Sequence, residues 1–203
     1  MGLTNASNAF MENIYIEVGS SAVGVEADGD HNDAAGSVTT GAVGKTAVTA
    51  SYGLGYMLGK SGKLGLDVGY MITPGEAKIR STSNSNSGKD VSLEISDMTE
   101  MYLAPMLNIT DDASLYLKYG WNSTDLTTVG DVNKINSMDG NTVAVGTVMS
   151  WGSNLYIRSE AGMTSYDKLT FTGLGGANGV PTSETVTATP DVHYGKIAIG
   201  YKF

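Results

Sequence analysis

The sequence predicts an all-β protein: an eight-stranded antiparallel transmembrane up-and-down β-barrel with short periplasmic turns and four long extracellular loops. Three observations carry this reading. Apolar residues recur with a period of two rather than 3.6 almost everywhere along the chain. The residues between them are small or singly charged, which suits a narrow lumen better than a water-facing surface. The connections alternate between short turns and long polar loops, the asymmetry of outer-membrane barrels.

The strands follow in order. Ile14, Ile16 and Val18 alternate with Tyr15, Glu17 and Gly19. Val48, Ala50, Tyr52, Leu54, Tyr56 and Leu58 form the second apolar set, and Leu64, Leu66, Val68, Tyr70 and Ile72 the third. Met101, Leu103, Pro105 and Leu107 make the fourth, opposite Glu100, Tyr102 and Ala104. Pro105 faces outward there, and a bulge is expected to accommodate it. The fifth is Leu115, Leu117, Tyr119 and Trp121; the sixth is Val143, Val145, Thr147, Met149 and Trp151. Leu155, Ile157, Ala161 and Met163 make the seventh, opposite Tyr156, Arg158, Glu160 and Gly162. Ile197, Ile199, Tyr201 and Phe203 close the series. Each set spans about 9–11 residues, enough for a tilted strand to cross the hydrocarbon core.

Gly59–Lys63, Asn108–Asp112 and Gly152–Asn154 read as short turns, whereas 25–41, 78–92, 122–141 and 172–191 read as long loops rich in Gly, Ser, Thr, Asn and Asp. An even strand count puts both termini on the short-turn, periplasmic side. The expected organisation is one barrel domain over 1–203, with 1–12 a periplasmic N-terminal extension. Tyr56 and Trp151 near the short turns, and Tyr70, Tyr119 and Trp121 near the long loops, are placed to form the aromatic girdles of the two interfaces.

Composition narrows the function. Only 16% of the 203 residues are charged, against roughly 25% in a typical soluble domain. The net charge of −9, with no basic block, removes the electrostatic footprint of nucleic-acid binding. Without Cys there are neither structural disulfides nor thiol catalysis. No apolar run is long enough for a transmembrane helix. Met1–Asn5 has neither the basic nor the apolar stretch of a signal peptide, so export implies that a leader has been removed.

The end of the chain carries a specific pattern: Phe203 at the terminus, Tyr201 two residues earlier, and Ile199 and Ile197 alternating back from it. It resembles the C-terminal assembly signal of bacterial outer-membrane proteins. The whole chain resembles, in strand number and loop layout, the small barrels grouped with the OmpA transmembrane domain, OmpX and the opacity adhesins. The resemblance implies a Gram-negative outer-membrane location and recognition of the last strand by the barrel-assembly machinery. Outer-membrane lipid and lipopolysaccharide are then its surroundings.

The inward parity collects a lumen charge network: Glu17, Asp67, Glu100, Lys118, Arg158, Glu160 and Lys196, with Lys202 at the end of the series. Such charges must pair, since an unpaired one in a confined lumen is costly. They form either a plug that fixes register or a gated narrow pore whose pairs exchange partners. Asp28, Asp30 and Asp33 in the first loop are a weak candidate metal site. Asp28-x-Asp30-x-Asn32 has calcium-loop spacing, but Asp33 stands where the turn Gly belongs and Thr39 where the bidentate Glu belongs. The expectation is a solvated acidic loop without metal. Val91, Leu93 and Ile95 continue the outward apolar parity above Asp97. They are either a strand that docks a partner or part of a membrane band set higher than Asp97.

His31 and His193 are the only histidines, and no motif joins them to a Ser and an acid. No catalytic residue and no cofactor are therefore expected. The function expected is a structural and surface-interaction barrel presenting loops to a surface protein or host partner, as in adhesion. The alternative is a narrow gated, porin-like channel for ions or small solutes. A lipid-modifying outer-membrane enzyme ranks third, and a soluble lipocalin-like carrier conflicts with the Gly-rich inward face.

Overall fold

A computed structural model of the chain describes residues 13–33, 35–59, 62–80, 92–129, 132–175 and 181–203. Among them run nine strands: β1 (Ile14–Asn32), β2 (Val38–Leu58), β3 (Leu64–Arg80), β4 (Ser92–Asn108), β5 (Ala113–Val129), β6 (Ser137–Trp151), β7 (Leu155–Tyr166), β8 (Leu169–Thr172) and β9 (Thr185–Lys202). All pairings are antiparallel, and β9 pairs with β1, so the sheet closes on itself. β7 pairs with Asp191–Tyr201 of β9, and β8 pairs with Thr185–Ala188 just above. β8 thus continues the course of β7, and the wall is an eight-stranded closed barrel.

Both described ends of the chain lie at the short-turn end. The Phe203 N–H donates to Ile14 O at 3.0 Å, and the Lys202 N–H to Asn154 O at 2.8 Å. Closing the cylinder there pairs the last backbone groups that an open sheet would leave exposed.

The period-two reading fixes which face each residue takes. Ile16, Val18, Leu54, Leu103, Leu117, Val145, Ile157 and Ile199 are exposed on the outside, while Tyr15, Glu17, Tyr102, Lys118 and Arg158 are buried inside. The inward glycines are seats for aromatic rings, not empty space. Tyr15, Tyr102, Tyr116 and Tyr156 stand opposite Gly55, Gly69, Gly146 and Gly200 on the neighbouring strands. A Cβ at any of those glycines would overlap the facing ring.

Three expectations need correction. First, two of the predicted long loops, 25–41 and 122–141, are mostly strand. β1 and β2 stay paired up to Asn32↔Val38, so the hairpin turns only at Asp33–Ser37. β5 runs to Val129 and β6 starts at Ser137. Thr, Ser and Gly give both stretches a loop-like composition, yet 122–128 and 137–141 keep the alternation of buried and exposed residues. Second, no bulge surrounds Pro105. It pairs in register with Leu66, and pairing with β5 lapses at Ala104 and Pro105. The Asn108 N–H donates to Lys63 O, so odd-numbered residues of β4 direct their N–H toward β5, where proline lacks one.

Third, the parity of β4 reverses. Pro74–Gly75 of β3 oppose the single Asp97, and Asp97–Met98 of β4 oppose the single Thr124 of β5. Gly75 (φ 142°) and Asp97 (φ 48°) carry the left-handed backbone of these bulges. Below them Met101 and Leu103 face out; above them Ile95 faces in and is buried in an apolar cluster. Ile95 is therefore no part of an outward docking strand. Val91 and the side chain of Leu93 lie outside the described residues.

Candidate functional site

The lumen at the level of the apolar belt holds three cations against four carboxylates, all buried. β7 supplies Arg158, which no solvent reaches. Its Nη2 donates to Asp67 Oδ2 of β3 at 2.7 Å, and its Nε lies 2.7 Å from Glu17 Oε2 of β1, off the line of the N–H. Lys196 of β9 donates from Nζ to the other Glu17 oxygen at 3.1 Å and lies 3.8 Å from Glu160. Lys118 of β5 donates to Glu160 Oε1 at 2.6 Å and to Glu100 Oε2 at 3.0 Å. The structure thus brings all seven sequence-derived charges into one network spanning the barrel. Lys202 is buried lower down, beside a cavity at the short-turn end.

Tyrosine hydroxyls complete the network. Tyr15 donates to Asp67 at 2.8 Å, Tyr116 to Glu160 at 2.6 Å, Tyr194 to Glu160 at 2.7 Å and Tyr156 to Glu17 at 3.1 Å. The Arg158 guanidinium also stacks near the rings of Tyr15, Tyr116 and Tyr156, 5.2–5.8 Å from their centroids. The sequence reading put Tyr15, Tyr102 and Tyr156 on the inward face with the charges but did not assign them, Tyr116 or Tyr194 to the network. Their effect is steric as well as electrostatic. One cavity lies below the network against Tyr156, and another lies above it against Glu100 and Tyr194.

Above the network the interior changes character. Val23, Val25, Ile95, Leu126, Val132, Met138, Tyr166, Leu169, Phe171 and Val192 form an apolar core inside the upper barrel. The outside of the same strands there is polar: Ser123, Asp125, Thr127, Asp139 and Ser165 are exposed. Val23 and Val25 share the parity of Glu17, and that was the available signal.

The remaining sequence-derived residues are placed as follows. Tyr70, Tyr119, Trp121 and Trp151 are exposed on the outside, Tyr56 is half-buried, and Tyr119 and Trp121 pack edge to face at 5.1 Å. Ile197, Ile199, Tyr201 and Phe203 all face outward, with Tyr201 and Phe203 edge to face at 5.3 Å. Asp28, Asp30 and Asp33 do not converge. Asp30 accepts from the Thr40 hydroxyl, whereas Asp33 accepts from the N–H groups of Ala35 and Ser37 and caps the turn. The Ser37 N–H, ahead of that of Ala35, holds the Asp33 carboxyl below its usual range. Among the described residues no group of three His, Cys, Asp or Glu is arranged to hold a metal. His31 Nε2 lies 3.0 Å from Glu184 Oε2, and His193 is exposed on the outer face of β9.

Closure, the outward apolar belt and the polar lumen invite comparison with known barrels. No protein-family model matches the sequence, and no curated protein matches it. Among solved structures, the outer membrane protein OprG from Pseudomonas aeruginosa aligns with a TM-score of 0.57 at 16% identity, over 95% of this chain and 97% of that one. The chain has the fold of a small bacterial outer-membrane β-barrel. Ail of Yersinia pestis, solved with the heparin analogue sucrose octasulfate, aligns at 0.46 and 12% identity over 91% of this chain and 99% of that one. Neisserial surface protein A aligns at 0.45 and 12% over 94% and 97%. At these identities the likeness concerns fold.

Proposed function

We propose that this protein is a non-conducting outer-membrane anchor. It raises a collar of β-structure above the membrane to contact a surface or host partner, with its termini in the periplasm. The carrying observation is the closed network of Arg158, Lys118, Lys196 and their carboxylates in the lumen. A permeating ion would have to break buried pairs, and breaking one by removing a partner costs about 3–5 kcal/mol. The apolar core above it adds a second barrier. A surface role accounts for strands much longer than a membrane crossing requires, such as β1 and β2 with 19 and 21 residues.

Planar-bilayer recording of the purified protein tests this reading, with silence as the expected result. Steady ohmic conductance would overturn it in favour of the narrow channel. Orientation is tested separately. The chain has no Cys, so Ser37→Cys gives a single thiol at the hairpin turn. A membrane-impermeant maleimide is expected to label it on intact cells.

A further inference from the structure

The barrel wall is not sealed over its whole height. β2 pairs with β1 from Tyr56 to Val38, yet with β3 only over Tyr52–Leu58. Among the described residues, β2 from Val38 to Ser51 therefore has a strand on one side only. Residues 38–42 and 44–46 are exposed on both faces.

Two hydrogen bonds fix which backbone groups this leaves open. At one end the Met57 N–H donates to Asn13 O; at the other, the Asp33 N–H donates to Ser37 O, both at 3.0 Å. Antiparallel pairs alternate between bonded and non-bonded. The odd-numbered residues of β2 therefore spend their N–H and C=O on β1. Thr40, Ala42, Gly44, Thr46, Val48 and Ala50 aim theirs away from β1, into the seam. Lower down the same even series, from Tyr52 to Leu58, is what β3 pairs with.

Natural edges are blunted with charges, prolines or bulges, because a bare one templates another strand. Val38–Ser51 carries one charge, Lys45, no proline, and an uninterrupted register with β1. Its outer face also specifies chemistry. Glu26, Asp28 and Asp30 of β1 lie opposite Gly44, Ala42 and Thr40. Lys45, being odd-numbered, belongs to the other face. A strand added to β2 would lie two strand spacings from those carboxylates, roughly 10 Å. Long cationic side chains reach that far across Gly44 and Ala42, which have almost no side chain to obstruct them.

We propose that the open edge of β2 binds, by strand addition, an extended segment of a partner protein with Lys or Arg at alternate positions. The backbone of Thr40–Thr46 supplies the hydrogen bonds, and Glu26, Asp28 and Asp30 select the basic face. This rests on the surface-interaction reading above and gives its partner a chemistry.

The test uses the full chain folded in a zwitterionic detergent. The probe is a short fluorescent peptide alternating lysine with threonine, read by anisotropy at low salt, with its glutamate-for-lysine counterpart as control. Saturable binding of the lysine peptide alone is expected. Ala42→Pro deletes an edge N–H that β1 does not use, so binding should be lost while heat-modifiable migration is unchanged. Asp28→Asn with Asp30→Asn should weaken binding roughly tenfold and flatten its salt dependence. Binding that survives Ala42→Pro would reduce the effect to diffuse charge attraction and overturn the edge proposal. So would a dimer, seen by sedimentation, that Ala42→Pro dissociates, because a second copy would then hold the edge. Failure of the peptide to bind a silent barrel overturns the edge proposal alone, whereas conductance overturns the surface reading beneath it.

Discussion

The lower and upper halves of this barrel follow opposite rules on one continuous sheet. In the lower half, apolar side chains such as Leu117 and Val145 face out, and charges such as Lys118 and Arg158 face in. In the upper half, Leu126 and Met138 face in, while Thr127 and Asp139 face out. β5 shows the change within one strand: Lys118 and Leu126 have the same parity and both are buried. The strand geometry is the same in both halves; what differs is the solvent outside. Lipid rewards an apolar exterior and leaves the narrow lumen to paired polar groups. Water rewards the reverse.

The sharpest way to break the lower half is from inside. Arg158→Met keeps the volume but leaves Glu17 and Asp67 without their main counter-charge. A loss of about 3–5 kcal/mol is expected, read as a fall in urea midpoint in detergent. An unchanged midpoint would mean that water or Lys196 compensates for the guanidinium. Attack from outside should cost less and depend on height. Leu117→Arg meets lipid and should cost about 2–4 kcal/mol in bilayers. Thr127→Arg, on the same face of the same strand, should stay within about 0.5 kcal/mol. Equal effects at the two positions would erase the boundary between the halves.

The lower half was legible in the sequence because lipid makes its alternation conspicuous. Runs such as Leu115-Tyr-Leu-Lys-Tyr-Gly-Trp121 state the strand, its outward face and its lumen charge together. The lumen network followed from the same parity, since charges sharing a face of a closed narrow barrel have only each other to pair with. Tyr15, Tyr102 and Tyr156 were placed on the inward face, but their part in the network was not, because the glycine that seats each ring, as in Tyr15↔Gly55, is a register fact. The upper half escaped because its outward residues are loop-like in composition. Ser-Thr-Asp-Leu-Thr-Thr at 123–128 looks like a loop until Leu126 is seen to point inward. Ile95 was misplaced because bulges at Pro74–Gly75 and Asp97 change parity, and nothing in the sequence fixes where an extra residue is absorbed. The open edge of β2 is a fact of pairing, which periodicity does not contain.

Smaller effects probe the upper half as a water-type core. Leu126→Ala should cost about 2 kcal/mol, the low end for a buried leucine. Its signature is local. Hydrogen exchange should rise in β8 and in upper β5 and β6, while heat-modifiable migration, governed by the lower belt, persists. Loss of that migration would show that the two halves unfold as one unit.

The smallest expected effect lies at the tip, where the β1–β2 hairpin turns in water. The Asp33 carboxylate accepts the N–H groups of Ser37 and Ala35, and the first of these chiefly depresses its pKa. A depressed acid contributes turn order above its unfolded pKa and loses it as pH falls through the lowered folded value. The amide resonances of Ala35 and Ser37 should therefore titrate together on acidification, and Asp33→Ala should abolish that titration. The barrel itself should not respond, because no wall strand depends on this cap. If acidification instead released the pairing of β2 with β1 along Thr39–Lys45, the turn would be holding the hairpin upright. The hairpin's standing above the membrane would then belong to its tip rather than to its ladder.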